Sequence, residues 1–483
     1  MTSNSPDPAR ALAELQAAYE RLANEAEALR LEAGDTTRAL LRVIDEQRTA
    51  LEDATGMAAA RAAIAASNSG RALQAVAGLR TRVRDARMRA RRRKALRAAR
   101  TRVLRVPPAV ASAPLGVNCS GYLNAESGMG EAARCALRAL SKAGVPFALN
   151  NVKGPQRAAD SSFTNFTTAH PHPFNLVHLN ADNMRWFADQ RGPAYFKDRY
   201  TIGYWFWELS QFRSDWLDAF QLVDEVWVAS DFSRVAISAD APVPVVHMPL
   251  GIDTPVPGPY GRAHFGLPQD PYIFLYTFDV SSQMERKNPM GALRAFRQAA
   301  FGPREAVLLL KFTNGHADRA AVRRLAEAAS GLNVIMLDVA LSRAEQNALM
   351  QCTDACLSLH RAEGFGMTIA EQMLLGRPAI ATHYSGNVDF MTPDVARLVA
   401  ATMVSLTRDY GPYLRGFQWA EPDTAIAATY MQELVRTPGL SADLGARGQA
   451  HVQRVLDPAR TADLMASRLR QIQAGHIQVD GHA

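Results

Sequence analysis

Apolar residues recur at two different spacings along this chain, and the change from one to the other divides it. Within residues 9 to 105, Leu12, Leu15, Tyr19, Leu22, Ala26 and Leu29 recur every three or four positions, the spacing of a heptad seam. Gly34 interrupts the seam, and Leu40, Ile44 and Leu51 resume it in another register. The pattern predicts a short coiled coil or helical hairpin, ended by the proline-marked linker "VPPAVASAP". From residue 115 short apolar runs take over: "LGVNC", "PFALN", "FNLVHL", "YTIGYWFW", "DEVWVAS" and "PVVHMPLG" read as buried strands with helical stretches between several of them. After "DTPVPGPYG" the pattern restarts with "YIFLYTF", "AVLLLKF", "NVIMLD", "ACLSLH" and "PAIATH", separated by amphipathic segments. Strand-helix alternation predicts parallel sheets covered on both faces. Two such sheets in tandem predict an α/β chain of two facing Rossmann-like domains, with ligands bound beyond the carboxyl ends of the strands. The expected divisions are a helical extension over 1–106, a first Rossmann-like domain over 107–258, a second over 259–425, and C-terminal helices and tail over 426–483.

Composition supports this division. A chain of 483 residues exceeds one core of ordinary size, and 48% hydrophobic with 21% charged residues is the make-up of a globular protein. The start, "MTSNSPDPAR", has no apolar core of a leader, and no window approaches eighteen consecutive apolar residues, so a cytoplasmic location is expected. The net charge of +7 is unevenly placed. Residues 80–105 hold thirteen Arg or Lys against one Asp, leaving the remainder at −5. Such a run on a helix predicts contact with an anionic membrane surface, each cation contributing about 1 kcal/mol close to it. A solvated helix or a self-association stalk is the alternative. Nucleic acid is disfavoured, because the run lacks aromatic side chains for stacking. The four cysteines, Cys119, Cys135, Cys352 and Cys356, form no zinc-type spacing and read as reduced core thiols; no metal site is expected.

The candidate chemistry sits where strands end. "GYLNAESGMGEAAR" (121–134) opens a helix at Gly128 to Gly130, where backbone amides can approach a phosphate; an ordinary tight turn explains it equally well. "HRAEGFGMTIAEQ" (360–372) places Glu363 at a strand's carboxyl end, then Gly364, Phe365, Gly366 and Met367 before a helix expected from about Thr368. Phe365 reads as exposed. Glu371 would fall in the first helical turn, either as a ligand for ribose hydroxyls or as the acid of a capping box begun by Thr368. "MERKNPMGALRAF" (284–296) sets Arg286 and Lys287 between the first strand of the second domain and its helix, suited to a diphosphate or merely solvated. In "YTIGYWFWELSQF" (200–212), Trp205, Trp207 and Glu208 end a strand, which turns aromatic surface and one acid toward the cleft. His178 and Asn180 end the neighbouring strand, with a structural histidine as the alternative reading.

Taken in order, these stretches resemble the retaining glycosyltransferases of the GT-B fold, glycosyltransferase family 4, over residues 115 to about 475. "EGFGMTIAEQMLLGRPAIAT" is similar to the family's Glu-x7-Glu signature and following strand, "HMPLGID" to its entry into the second domain, and "RKNPMGALRAF" to its basic residue and helix. "GYLNAESGMGEAAR", "GYWFWELSQF", "VDEVWVASDFS" and "FQWAEPD" look like a bacterial polysaccharide-assembly branch. The resemblance implies transfer of a sugar from a nucleoside diphosphate sugar to a glycan or lipid-linked acceptor, without metal or cofactor, with retained anomeric configuration. It implies that Lys287 and Arg286 hold the diphosphate, Gly364 to Met367 offer backbone donors, Glu363 meets the sugar and Glu371 the ribose, with Gly128 and Gly130 facing the donor. The catalytic set under this reading is Glu363, Glu208 and His178. The sequence departs from the family in two places. Ser281 stands where the family often has an arginine, and "YWFWEL" lacks the family's histidine, for which Glu208 is the candidate replacement. A sugar-nucleotide epimerase and a non-catalytic scaffold of the same fold are the rival readings; the ordered family stretches argue against the first, and the intact Glu363, Glu371 and Lys287 set against the second.

Overall fold

The structure, a computed structural model, describes residues 106–154 and 160–476. The predicted helical extension, its coiled-coil seam and the basic run 80–105 lie outside the described residues.

The first sheet is built from β1 (Val117–Gly121), β2 (Phe147–Asn151), β3 (Phe174–His178), β4 (Tyr200–Trp205), β5 (Glu225–Val228) and β6 (Val245–His247). All its pairings are parallel, in the order β2-β1-β3-β4-β5-β6. The second holds β7 (Tyr272–Asp279), β8 (Ala306–Thr313), β9 (Val334–Asp338), β10 (Ala355–Ser358), β11 (Ala379–Thr382) and β12 (Arg397–Val399), again parallel, in the order β12-β11-β10-β7-β8-β9. Every apolar run predicted as a strand forms one. The continuous runs follow from burial on both faces: on β8, Leu308 and Leu309 are both fully buried, yet they pack into different apolar clusters on opposite sides of the sheet. Truncating either to alanine is expected to cost about 2–5 kcal/mol.

Sheet order decides where chemistry can gather. In the first sheet the chain reverses between β1 and β3, and in the second between β7 and β10. At such a switch point the loops leaving adjacent strands diverge to opposite faces and leave a crevice. Across the cleft the loop after β4 meets the loop after β10, where a Cβ on Gly364 would lie 3.5 Å from Phe206 and 3.8 Å from Glu208.

The helices that matter for the site are α1 (Gly128–Lys142), α2 (Asp231–Ser238), α3 (Met284–Lys287), α4 (Pro289–Ala299), α5 (Arg343–Cys352), α6 (Met367–Leu374), α7 (Thr424–Arg436) and α8 (Pro458–Gln473). Ser127 caps α1 by accepting from Gly130 N, and an Ala/Leu face (Ala132, Ala133, Ala136, Leu137, Leu140) buries it. Pro289 at the first turn of α4 and the Asn288 cap, which accepts from Gly291 N at 3.0 Å, end α3 and start α4 within one residue. α7 packs on α4 in the second domain, whereas α8 crosses back to pack on α1 in the first. There Arg468 forks onto the fully buried Glu225 of β5 at 2.9 and 2.6 Å, and the same carboxylate accepts from Trp227 and Tyr200.

One element has no counterpart among the predicted strands. β13 (Ala401–Ser405) and β14 (Gln418–Pro422) form an antiparallel hairpin between β12 and α7. Although it leaves the second domain, its Leu406, Tyr413 and Trp419 are buried with Trp205, Trp207 and Phe212 of the first. Among the described residues no helix is long and apolar enough to cross a membrane.

Candidate active site in the interdomain cleft

The second-domain half of the cleft is a compact charged centre. α3 carries Arg286 and Lys287 to the carboxyl end of β7, and the loop after β10 carries Glu363 to meet them. Lys287 Nζ pairs with Glu363 Oε2, and Arg286 lies 3.6 Å from the same oxygen. Arg286 is held by Ala362 O at 2.8 Å and Ser282 O at 3.3 Å, but its buried Nε–H has no partner among the described residues. The Lys287 and Glu363 side chains are only 19% and 18% exposed. Burial by itself would raise the Glu363 carboxyl, but Lys287 and Arg286 outweigh it and hold the group at about 2. Burial also lowers the Lys287 amine, with Glu363 opposing. The Glu363 carboxyl therefore stays ionised at neutral pH, and burial and Glu363 pull the Lys287 amine in opposite directions.

Beside this pair, the Gly364–Gly366 loop enters α6. Gly366 caps the helix at φ +95°, a left-handed backbone that glycine tolerates without strain. The N–H groups of Gly364, Phe365 and Gly366 make no hydrogen bond among the described residues, so a positive helix terminus presents free donors. Gly364 O instead accepts from Ser230 Oγ of the first domain at 2.7 Å, just before α2, which ties the loop across the cleft. Phe365 is buried, its ring 5.3 Å from Phe390, so only its backbone faces the loop. The reason is the turn into α6, which directs that side chain into the core beneath it.

Glu371 lies beyond the first turn of α6, because the helix starts at Met367, and no side chain caps it. The capping box does not form. The carboxylate is buried and accepts from Arg343 of α5 at 2.6 Å; burial raises its affinity for a proton, with Arg343 opposing. Arg343 also reaches Glu131 of α1 at 3.7 Å, and Glu131 is bound by Arg134 at 2.8 Å and Arg138 at 2.7 Å. An ion network thus spans the two domains next to the glycine stretch. In that stretch a Cβ on Gly130 would lie 2.3 Å from Ala125 O, so the tight turn itself requires glycine. A Cβ on Gly128 would meet nothing within 4 Å, so the turn does not require that one. Further along, Lys311 of β8 is buried and makes no hydrogen bond or ion pair among the described residues, in the field of Asp279, Asp338 and the first-domain Glu126.

The first-domain half is more apolar than the sequence suggests. Trp205 and Trp207 are each 1% exposed and belong to the core, not the cleft surface, because Phe212, Phe220, Trp216 and the hairpin cover them. Glu208 does reach the cleft. Its Oε2 accepts from Tyr413 Oη at 3.0 Å, and the Arg286 guanidinium lies 5.9 Å from the Tyr413 ring. His178 is buried, stacked on Tyr204 at 4.6 Å, with neither ring nitrogen hydrogen-bonded among the described residues. Burial holds it neutral down to about 3. Asn180 at the same strand end accepts from Phe206 N at 2.8 Å and sets the course of the Glu208 loop.

The fold thus gathers Arg286, Lys287, Glu363, Gly364 to Met367 and, through Tyr413, Glu208. Glu371 stands in a second group with Arg343 and Glu131, near Gly128 and Gly130; His178 has no contact with either charged group. Arg343, Glu131, Lys311 and Tyr413 are the site-lining residues that sequence reasoning passed over. Only Tyr413 had a local signal, the aromatic stretch "DYGPY" beside "FQWAEPD".

No protein-family model matches the chain, and no curated protein matches it. Solved structures do. Sucrose-phosphate synthase from Thermosynechococcus elongatus is 16% identical, covering 75% of this chain and 100% of that one, with a TM-score of 0.57. Anabaena HepE in complex with UDP and glucose is 14% identical, covering 74% of this chain and 100% of that one, with a TM-score of 0.55. HepE with UDP-glucose matches over the same shares. At these identities the likeness concerns the backbone: the described residues have the GT-B fold, two facing Rossmann-like domains with parallel sheets.

Proposed function

We propose that the chain is a retaining glycosyltransferase of the family 4 type, moving a sugar from a nucleoside diphosphate sugar to a glycan or lipid-linked acceptor. The observation that carries the reading is the Lys287–Glu363–Arg286 centre at the second sheet's switch point, facing Glu208 and bordered by the free donors of α6. An anion suits that place, because two cations and a helix terminus converge on it. The HepE complexes with UDP and UDP-glucose on the same fold support a uridine nucleotide as the first donor to try.

On this reading the diphosphate draws Lys287 from Glu363, and the orphan Arg286 Nε–H and the loop amides complete its shell. The released Glu363 then accepts from sugar hydroxyls, while Glu371, steadied by Arg343, accepts from the ribose. The bond from the anomeric carbon to the diphosphate oxygen breaks as the acceptor hydroxyl bonds to that carbon on the same face. The hydroxyl's proton passes to the departing diphosphate oxygen, and Glu208 orients the hydroxyl through its carboxylate oxygen not taken by Tyr413. Protein cations and amides neutralise the leaving group, so activity in excess chelator is expected. An acceptor on a lipid gives the basic run 80–105 a purpose at the inner face of a membrane; its deletion should abolish sedimentation with anionic vesicles.

The deciding experiment is a panel of UDP-, GDP- and other nucleotide sugars, scored by thermal stabilisation and hydrolysis. Lys287→Ala is expected to abolish stabilisation, and Glu363→Gln to lower hydrolysis by about 100-fold or more. If no sugar nucleotide stabilises the wild type, the reading fails.

A further inference from the structure

The β13–β14 hairpin leaves the second domain, yet its tip is fixed by contacts on both sides of the cleft. From the first domain, Arg213 donates to Pro412 O at 2.7 Å, and Trp207 packs 5.8 Å from Tyr413. From the second, Gln283 at the entry to α3 lies so close to Gly411 that a Cβ there would stand 2.3 Å from its Nε2. Arg408 reaches Glu285 at 3.7 Å. The tip itself is tight: Tyr410 and Tyr413 pair as a bridge, and Asp409 accepts from Arg415 N at 2.7 Å. Tyr413 therefore has little freedom, and its hydroxyl ends on Glu208 while its ring lies beside Arg286.

We propose that Tyr413 is a positioning residue: its hydroxyl holds the Glu208 carboxylate toward the Arg286–Lys287–Glu363 centre, so the hairpin sets the geometry of the reacting groups across the cleft. The inference rests on the transferase reading of that cleft. Packing does not account for the hydroxyl, since a phenylalanine ring fills the same aromatic cluster. A buried hydroxyl is costly unless bonded, and the partner here is a carboxylate of the opposite domain. Burial keeps the phenol protonated, hence a donor at any working pH. Glu208 Oε1 makes no hydrogen bond among the described residues, so one oxygen is fixed while the other can accept from an incoming hydroxyl or, in hydrolysis, water.

The test is a double-mutant cycle on hydrolysis of whichever UDP-sugar or GDP-sugar the wild type turns over best, using Tyr413→Phe, Glu208→Gln and both together. Tyr413→Phe is expected to lower kcat about 10-fold to 100-fold, with KM for the sugar nucleotide and the melting temperature nearly unchanged. In the Glu208→Gln background the same change should cost less than about twofold, because its effect passes through the carboxylate. Full activity of Tyr413→Phe beside an impaired Glu208→Gln overturns the inference and leaves the transferase reading standing. Multiplying losses in the double variant also overturn it, since the two groups then act independently. Failure of every sugar nucleotide to be hydrolysed or to stabilise the wild type removes the reading and the inference together.

Discussion

Burial opposes the charged form of both Lys287 and Glu363, and each group works against that effect in the other. Replacing Lys287 by methionine leaves the carboxylate with Arg286 alone at 3.6 Å, and a loss of about 3 kcal/mol in urea unfolding at pH 7 is expected. The sign of the pH dependence follows from the depressed Glu363 value of about 2. Its contribution is complete above the unfolded carboxyl value near ~4.3 and is lost as pH falls through the folded one. The methionine variant should therefore lose most of its deficit when unfolding is measured near pH 2 to 3. His178 acts in a higher window. Its folded value of about 3 lies below the unfolded imidazole near ~6.5, so acid favours the unfolded chain throughout that interval. His178→Leu is predicted to flatten the fall in melting temperature between pH 6.5 and 4; an unchanged slope would mean that the ring is not a buried neutral one. His360, held near 4 by burial, has the same sign and remains in the variant as an internal reference. Which acids and bases end strands was legible in the sequence. That His178 lacks partners was not, because orphaning depends on packing around Tyr204.

Elements with a strong local signal are legible in the sequence, and those made by distant contacts are not. The eleven predicted apolar runs formed strands because two-sided burial leaves a continuous signature. β12 is only Arg397–Val399, and the β13 face is largely exposed, so neither contrasts with its flanks. The sequence places the start of α6 near Thr368, but the left-handed turn at Gly366 begins it earlier and removes Thr368 from the capping position. The glycine stretch allows a sharper test of element against ligand. Gly130→Ala drives a Cβ into the Ala125 carbonyl and should destabilise the domain by about 2 kcal/mol or more. Gly128→Ala meets nothing and should leave the melting temperature unchanged or slightly higher. If Gly128→Ala nevertheless loses stabilisation by a sugar nucleotide, Gly128 is kept for the ligand's approach; equal stabilisation assigns both glycines to the turn.

Across the molecule, the two sheets were legible and the ties between them were not. The alternation of runs reveals how many strands each half supplies, but not that α8 returns to the first domain or that the hairpin crosses into it. Both depend on contacts more than two hundred residues apart, such as Arg468 to Glu225 and Tyr413 to Glu208. Arg468→Leu strands a fully buried carboxylate and should cost about 3–5 kcal/mol, read as an early melting transition of the first domain. A sugar nucleotide bound mainly to the second domain should then protect the later transition more than the early one.

The glutamates of the first domain that stand opposite Arg343, Arg286 and Lys311 have a consequence for how an anion enters. Glu131 reaches Arg343 directly, Glu208 approaches Arg286 through Tyr413, and Glu126 lies in the field of Lys311. The cleft is thus already neutralised from within, and on the proposed reading a nucleotide would arrive as a substitute for the protein's own carboxylates. Its affinity would then be an exchange between two sets of ion pairs, both weakened by added salt. The apparent dissociation constant should accordingly rise less steeply with ionic strength than the number of cations around the ligand would imply.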